Sequence, residues 1–256
     1  MLTRTHPPST SGVAVRKVLL AAVLAVLVLG AAPAAGASTG GVRHAPNHKV
    51  TRSTSTNWAG YAAIGRTFSS VSSSWTQPTA SCKGSETSYS SFWVGLDGYS
   101  SGSVEQTGTD ADCSAGTPTY YAWYEMYPKF PVNLSPTAYP VAPGNTITAS
   151  VSFSGRSSFT LRISNATRGW TFTTTQKSNR AARSSAEVIA EAPSSSGGVL
   201  PLTDFGTVGF SGATADGAPL SSWGPDKIDM VSGTTTKAAT SALSGGGSFS
   251  VQWKHA

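Results

Sequence analysis

Along most of the chain the apolar residues recur at every second position. Ile147, Ala149, Val151 and Phe153 alternate with Thr146, Thr148, Ser150 and Ser152, which puts one row inward and the other toward solvent. Phe159, Leu161 and Ile163 repeat the pattern, residues 165–169 turn the chain, and Trp170 and Phe172 resume it, which predicts a hairpin. Tyr121, Trp123, Glu125 and Tyr127 share one face of a further strand; Tyr120, Ala122, Tyr124 and Met126 share the other. Shorter strands are predicted around Val188 with Ala186 and Ala190, Val208 with Phe210, and Phe249 with Val251 and Trp253. Pro143-Gly144, Asp216-Gly217 and Gly224-Pro225 punctuate them as turns. Only Lys177 to Ala192, with its Ala-rich run, is ambiguous between strand and short helix. Many short strands with Gly and Pro turns predict an all-β fold, an antiparallel β-sandwich or barrel.

The N-terminal region breaks this pattern. Arg4, Arg16 and Lys17 precede the apolar run Val18 to Gly30, and Ala35-Gly36-Ala37 supplies a small-x-small cleavage site, so residues 1–37 read as a secretory signal peptide. A run of about thirteen apolar residues is short of the roughly twenty that a spanning helix needs, so no membrane association is expected after cleavage. Residues 38–56 have no apolar periodicity and read as a short disordered or removable pro-segment. A single folded domain, 57–256, then begins near Asn57-Trp58. The expected location is extracellular.

Charge could point to a nucleic-acid partner, since the net charge is +6. Six of the eighteen basic residues, however, precede residue 58, and all twelve acids follow residue 85, which leaves residues 58–256 neutral. The basic character belongs to the leader, and no nucleic acid is expected. Charged residues make up only 12% of the chain, against about 25% in an average domain. Little charge balance is upset by protonating the carboxylates, which fits an acid-tolerant protein.

Two cysteines occur, Cys82 and Cys113. In an exported chain such a pair predicts a disulfide, with a contribution of about 3 to 4 kcal/mol in the chain-entropy model. It would enclose the stretch from Phe92 to Asp110, which carries a Trp, four Gly, an amide and three acids in a chain otherwise dominated by Ser, Thr, Ala and Gly.

The four histidines, His6, His44, His48 and His255, all lie in the leader, the pro-segment or the C-terminal tail. A Ser-His-Asp triad or a His-based metal site needs a histidine in the core, so catalysis would fall to carboxylates, amides or hydroxyls, with no metal and no cofactor. If the segment around Val188 is a strand, Glu187, Ile189 and Glu191 share a face, and a Glu beside Ile is a candidate for burial, a raised pKa and general-base work. The same periodicity equally describes a solvated Glu at a strand edge. Gln106, in phase with Val104, is open in the same way between a structural and a catalytic amide.

Several motifs in order, Phe92-Trp-Val-Gly-Leu-Asp-Gly, Glu105-Gln-Thr-Gly-Thr-Asp, Tyr121-Ala-Trp-Tyr-Glu-Met-Tyr-Pro, Ala186-Glu-Val-Ile-Ala-Glu and Thr203-Asp-Phe-Gly, resemble the glutamic peptidases, or eqolisins, from about Asn57 to Phe210. The resemblance implies a sandwich of two large antiparallel sheets with the active site on a concave face. It implies a catalytic pair, Gln106 and Glu187, with Trp93, Asp97, Trp123 and Glu125 in the substrate groove, and a monomeric acid endopeptidase acting on proteins or peptides. This sequence departs from the fungal pattern at Glu105, where a hydrophobic residue is usual, and at Met126 and Val188, where Trp is usual. It also carries Lys129 after Pro128 where Asp is usual, and its leader is shorter. From composition alone, exposed Trp and Tyr on a Ser/Thr-rich β chain equally suit a non-catalytic carbohydrate-binding module.

Overall fold

The computed structural model describes residues 41–45 and 53–256; the predicted signal peptide lies outside the described residues, as do 38–40 and 46–52 of the predicted pro-segment. The strands are, in chain order, β1 (Thr54–Ser55), β2 (Trp58–Ile64), β3 (Ser70–Thr76), β4 (Ser91–Leu96), β5 (Val104–Ser114) and β6 (Thr117–Tyr127). There follow β7 (Val132–Asn133), β8 (Thr146–Gly155), β9 (Ser158–Asn165), β10 (Trp170–Lys177), β11 (Ser185–Glu191), β12 (Ser194–Ser195) and β13 (Gly198–Val199). The last are β14 (Thr207–Ala215), β15 (Ala218–Pro219), β16 (Asp226–Ser232), β17 (Thr235–Thr240) and β18 (Phe249–Trp253).

Hydrogen bonding runs through β10-β9-β8-β3-β14-β18-β17-β16-β2-β11-β4-β5-β6-β7. This path folds back on itself as a β-sandwich. Strand β16 makes the passage, pairing with β2 through Asp226 to Ile228 and with β17 through Met230 to Ser232. Strands β4 and β5 of one layer pack across β3, β8 and β9 of the other.

Alternation in the sequence becomes this core directly. Phe92, Val94 and Leu96 of β4 and Ala186, Val188 and Ala190 of β11 point inward to meet Trp75, Ile147, Leu161 and Phe210. The predicted hairpin is present as β9 and β10, in register from Trp170 opposite Asn165 to Lys177 opposite Ser158. Asp216-Gly217 closes a two-residue hairpin loop between β14 and β15, and both residues take the positive φ that such tight loops require. Cys82 and Cys113 are joined as a disulfide.

Two expectations change. The ambiguous segment is strand from Ser185 to Glu191, buried at every residue, because pairing with β2 on one side and β4 on the other outweighs the helix preference of its alanines. Within the stretch expected to be disordered, Thr54–Ser55 pairs with β16, and Arg43 forms an antiparallel bridge to Ser194. The chain from Arg43 to Ala45 lies on the outer face of the β2-β11-β4-β5-β6 layer.

Candidate active site

Strand register stacks that outer face into three rungs. Residues paired across neighbouring strands point to the same side, so each rung is a row of adjacent side chains. The first reads Glu125, Gln106, Gly95, Glu187, Ala62. The second is Trp123, Gly108, Trp93, Ile189, Gly60, and the third Tyr121, Asp110, Ser91, Glu191, Trp58. The face is buried except at Tyr121, which is partly exposed, and Trp58, Trp93, Trp123 and Ile189 form an apolar cluster separate from the main core.

Gly95 lies between Gln106 and Glu187, so both side chains share the space above it. A Cβ there would come within 2.9 Å of the Trp93 ring and 3.1 Å of the Gln106 Cβ. Gln106 and Glu187 are thus brought together from positions about eighty residues apart.

The Gln106 amide is oriented by its donors. Its Nε2 gives one bond to Glu125 Oε2 at 3.0 Å and another to the backbone carbonyl of His44 at 2.6 Å. A carboxyl oxygen and a carbonyl oxygen both accept, so the nitrogen must face them and Oε1 must face away. Gln106 Oε1 and both Glu187 oxygens are buried with no hydrogen-bond partner within 3.5 Å among the described residues, although the Ser185 hydroxyl lies close enough to Glu187 to lower its pKa. Buried polar atoms of this kind call for a bound partner such as water.

Burial sets the acidity of the face. It pushes Glu187 well above the usual carboxylate range, and the nearby Asp97 and Glu105 carboxyls push the same way. Glu105, on the inward face, is also fully buried and is raised by burial to about 8. Glu125 and Glu191 are raised well above the ordinary value, again by burial first. Asp110 is raised to about 7 by burial, and Asp112 beyond its usual range by burial and by Asp110. The Tyr121 hydroxyl lies 2.8 Å from Asp110 and 2.9 Å from Asp112. One phenol proton cannot serve two carboxylates, so one of these acids is protonated and donates to the phenol oxygen.

The expected groove residues divide. Trp123 stacks on the His44 ring with centroids 3.6 Å apart and planes at 7°, and Glu125 accepts the His44 N–H at 3.1 Å. Trp93 lies in the floor, its indole donating to Glu191 at 2.8 Å. Asp97 has a different role from the one expected. Its carboxylate accepts from the backbone N–H groups of Arg183 at 2.6 Å and Ser184 at 2.8 Å, and from the Ser184 and Ser101 hydroxyls, so it clamps the approach to β11.

The exclusion of histidine from the folded core also needs correcting. His44 is only 1% exposed. It does not complete a triad, because the same nitrogen, Nδ1, faces both Ser91 Oγ at 2.9 Å and Glu191 at 3.9 Å, whereas a triad histidine bridges nucleophile and acid through opposite ring nitrogens. Few of the aromatic faces that suited a sugar-binding module are open, although Trp170, Trp223 and Trp253 are partly exposed. Trp58, Trp93 and Trp123 are fully buried, and a cavity of about 520 Å³ elsewhere is lined by Ser81, Leu202, Asp204 and Trp253 rather than by this face.

Residues 56–253 match the Peptidase A4 family. The chain belongs to that family. Aspergillopepsin-2 of Aspergillus niger is 30% identical over 183 residues, covering 63% of this chain and 64% of that protein, a little under two thirds of the relative's length. A crystal structure of scytalido-glutamic peptidase with a transition state analog inhibitor superposes with a TM-score of 0.68 at 27% identity, over 78% of this chain and 98% of that one. SCP-B, a member of the Eqolisin family of peptidases in complex with the tripeptide Ala-Ile-His, superposes with a TM-score of 0.62 at 25% identity, over 78% and 98%.

In this Peptidase A4 chain several residues of the face escaped the motif reading. Ser91, Asp110 and Trp58 form the third rung with Glu191, which the period-two phase with Glu187 had already placed on this side. Only the register across β2, β11, β4 and β5 shows that they belong together.

Proposed function

We propose that this chain is a secreted endopeptidase that hydrolyses protein and peptide bonds in acid, with Glu187 as general base and Gln106 as oxyanion donor. The observation that carries this reading is the first rung. The Gln106 amide already donates to a peptide carbonyl at 2.6 Å, and its Oε1 and the Glu187 carboxyl are buried acceptors without partners among the described residues.

A water held between Gln106 Oε1 and Glu187 meets both. Ionised Glu187 takes a proton from that water as its oxygen attacks the carbonyl carbon, then passes the proton to the leaving amine. Gln106 Nε2 donates to the oxygen as negative charge develops on it. An amide is neutral at every pH, so this donor survives in acid. Burial raises the pKa of Glu187, which strengthens it as a base and lowers the fraction ionised in acid, so the extent of its burial sets the acid limb of the pH–rate profile. Glu125 keeps Gln106 in the right flip, and can do so when protonated: its Oε1 has no partner among the described residues and can carry the proton, which leaves Oε2 to accept.

The tripeptide complex of SCP-B supports a peptide as the ligand class, and this chain seats its own Arg43-His44-Ala45 on the outer face. Casein digestion across acid to neutral pH tests the reading. Wild-type protein cleaves it in acid, and Glu187→Gln and Gln106→Ala do not while keeping the wild-type far-UV spectrum. Near wild-type cleavage by either variant would remove that residue from the mechanism.

A further inference from the structure

Arg43, His44 and Ala45 lie along the outer face with their backbone groups engaged one by one. The Arg43 N–H donates to Ser194 O at 2.7 Å, and Arg43 O accepts from the Ser194 N–H at 2.8 Å. The His44 N–H donates to Glu125, and the His44 carbonyl accepts from Gln106. The Ala45 carbonyl accepts from the Trp58 indole at 3.1 Å and from Asn57 at 3.4 Å. This is the main-chain recognition of an extended peptide laid beside a sheet.

The register of that recognition is specific. Of the three carbonyls, that of Arg43 meets backbone and that of Ala45 meets Trp58 and Asn57. Only the carbonyl of His44 meets the amide of Gln106.

The side chains are accommodated as well. The His44 ring lies flat on Trp123 with its edge at Ser91, and the Arg43 guanidinium sits 4.0 Å over Phe130. Trp123 is held for this task from behind, since its indole N–H donates to Asp110, which also accepts from Ser91 at 2.6 Å. Ala45 is 4% exposed.

We propose that Arg43-His44-Ala45 is seated as a substrate, and that the chain processes itself by hydrolysing the bond between His44 and Ala45. This rests on the reading of Gln106 and Glu187 as the catalytic pair. Water oxygen bonds to the His44 carbonyl carbon and the His44–Ala45 C–N bond breaks. One water proton reaches the Ala45 nitrogen by way of Glu187, leaving a carboxyl at His44 and a new N-terminus at Ala45. The subsite before the cut, floored by Trp123 and edged by Ser91, then selects flat side chains in other substrates too. Phe130 selects a cation one residue earlier.

The test uses the full chain carrying a C-terminal tag, incubated in acid and followed by intact mass and N-terminal sequencing. Wild-type protein yields a product beginning at Ala45, and Glu187→Gln does not. Casein is offered to the same preparations. If wild-type protein digests casein and no product begins at Ala45, self-processing is overturned and the peptidase reading stands; if casein also survives, the reading itself fails. A product beginning at Ala45 from Glu187→Gln would assign the cut to another protease and overturn the proposal.

A synthetic peptide of residues 38–52 gives a second measurement that does not depend on folding of a variant. Processed enzyme cuts it after His44, and the His44→Gly peptide is cut at least about tenfold more slowly, the loss of a stacking contact of roughly 1.4 kcal/mol. Equal rates, or binding of the intact peptide without cleavage, would overturn the proposal.

Discussion

The two faces of the β2-β11-β4-β5-β6 layer are built from the same strands and differ in almost every chemical respect. The inward face of β4 and β11 offers Phe92, Val94, Leu96, Ala186, Val188 and Ala190 to the other layer. The outward face of the same two strands offers Trp93, Gly95, Glu187, Ile189 and Glu191. Both are buried, so burial does not distinguish a core from a site. The inward face of β4 and β11 needs only volume. The outward face spends its volume on three indoles around a row of carboxyl groups, whose desolvation is unfavourable for folding in the ionised state and raises their basicity.

Substitutions in the first rung break this contrast most severely. Gln106→Ala lowers kcat by about 10² to 10³, the cost of one oxyanion donor, and Glu187→Gln lowers it further, both with the wild-type far-UV spectrum; single-turnover cleavage of a peptide measures this. On the inward face Phe92→Ala, which loses the edge-on packing against Phe205 at 5.2 Å, costs about 3 to 5 kcal/mol of stability. Denaturant melts locate that loss, and the pH profile of the surviving activity keeps its shape.

The pH dependence of stability reports the buried carboxyls of both faces in the wild-type protein. Glu105 is raised to about 8 and Asp110 to about 7, so between about pH 4 and pH 8 the folded protein binds more protons than the unfolded chain. Stability is therefore fully present in acid and falls as pH climbs through that window. Thermal melts drop by roughly 10 °C from pH 4 to pH 8, a few kcal/mol in a domain of this size. A melting temperature that rises over the same range would contradict the acidities assigned here.

Two finer changes sharpen the comparison. Gly95→Ala places a methyl group against Trp93 and Gln106, and lowers kcat by about tenfold with a smaller effect on KM, since it misaligns the pair rather than removing it. Glu105→Leu restores a hydrophobic residue at the position where the fungal pattern has one. It removes a carboxyl that raises Glu187, so the acid limb of the pH–rate profile moves to lower pH. A limb that moves upward would mean that Glu105 acts on another group.

Much of the fold was legible because a strand with one face on the core must alternate, and Ile147 to Phe153, Phe159 to Ile163 and Val208 to Phe210 do so. Strand β11 was less legible because it is buried on both faces, which erases the alternation on which the reading depends. Asp97 shows the limit for single residues. A carboxylate in a Gly-rich motif reads as a groove residue, and only the positions of Arg183 and Ser184 reveal that it holds a loop.

By itself the sequence determined the sheet content, the cysteine pair, the order of the motifs, and the shared phase of Glu187 with Glu191 and of Val104 with Gln106, since all of these follow from spacing along one strand. Tertiary structure decided what spacing cannot carry. It set Gln106 and Glu187 on either side of Gly95, turned the Gln106 amide by means of Glu125, and laid His44 on Trp123. Each of these depends on pairing between strands far apart in the chain, and that register is fixed by the packing of the whole sandwich.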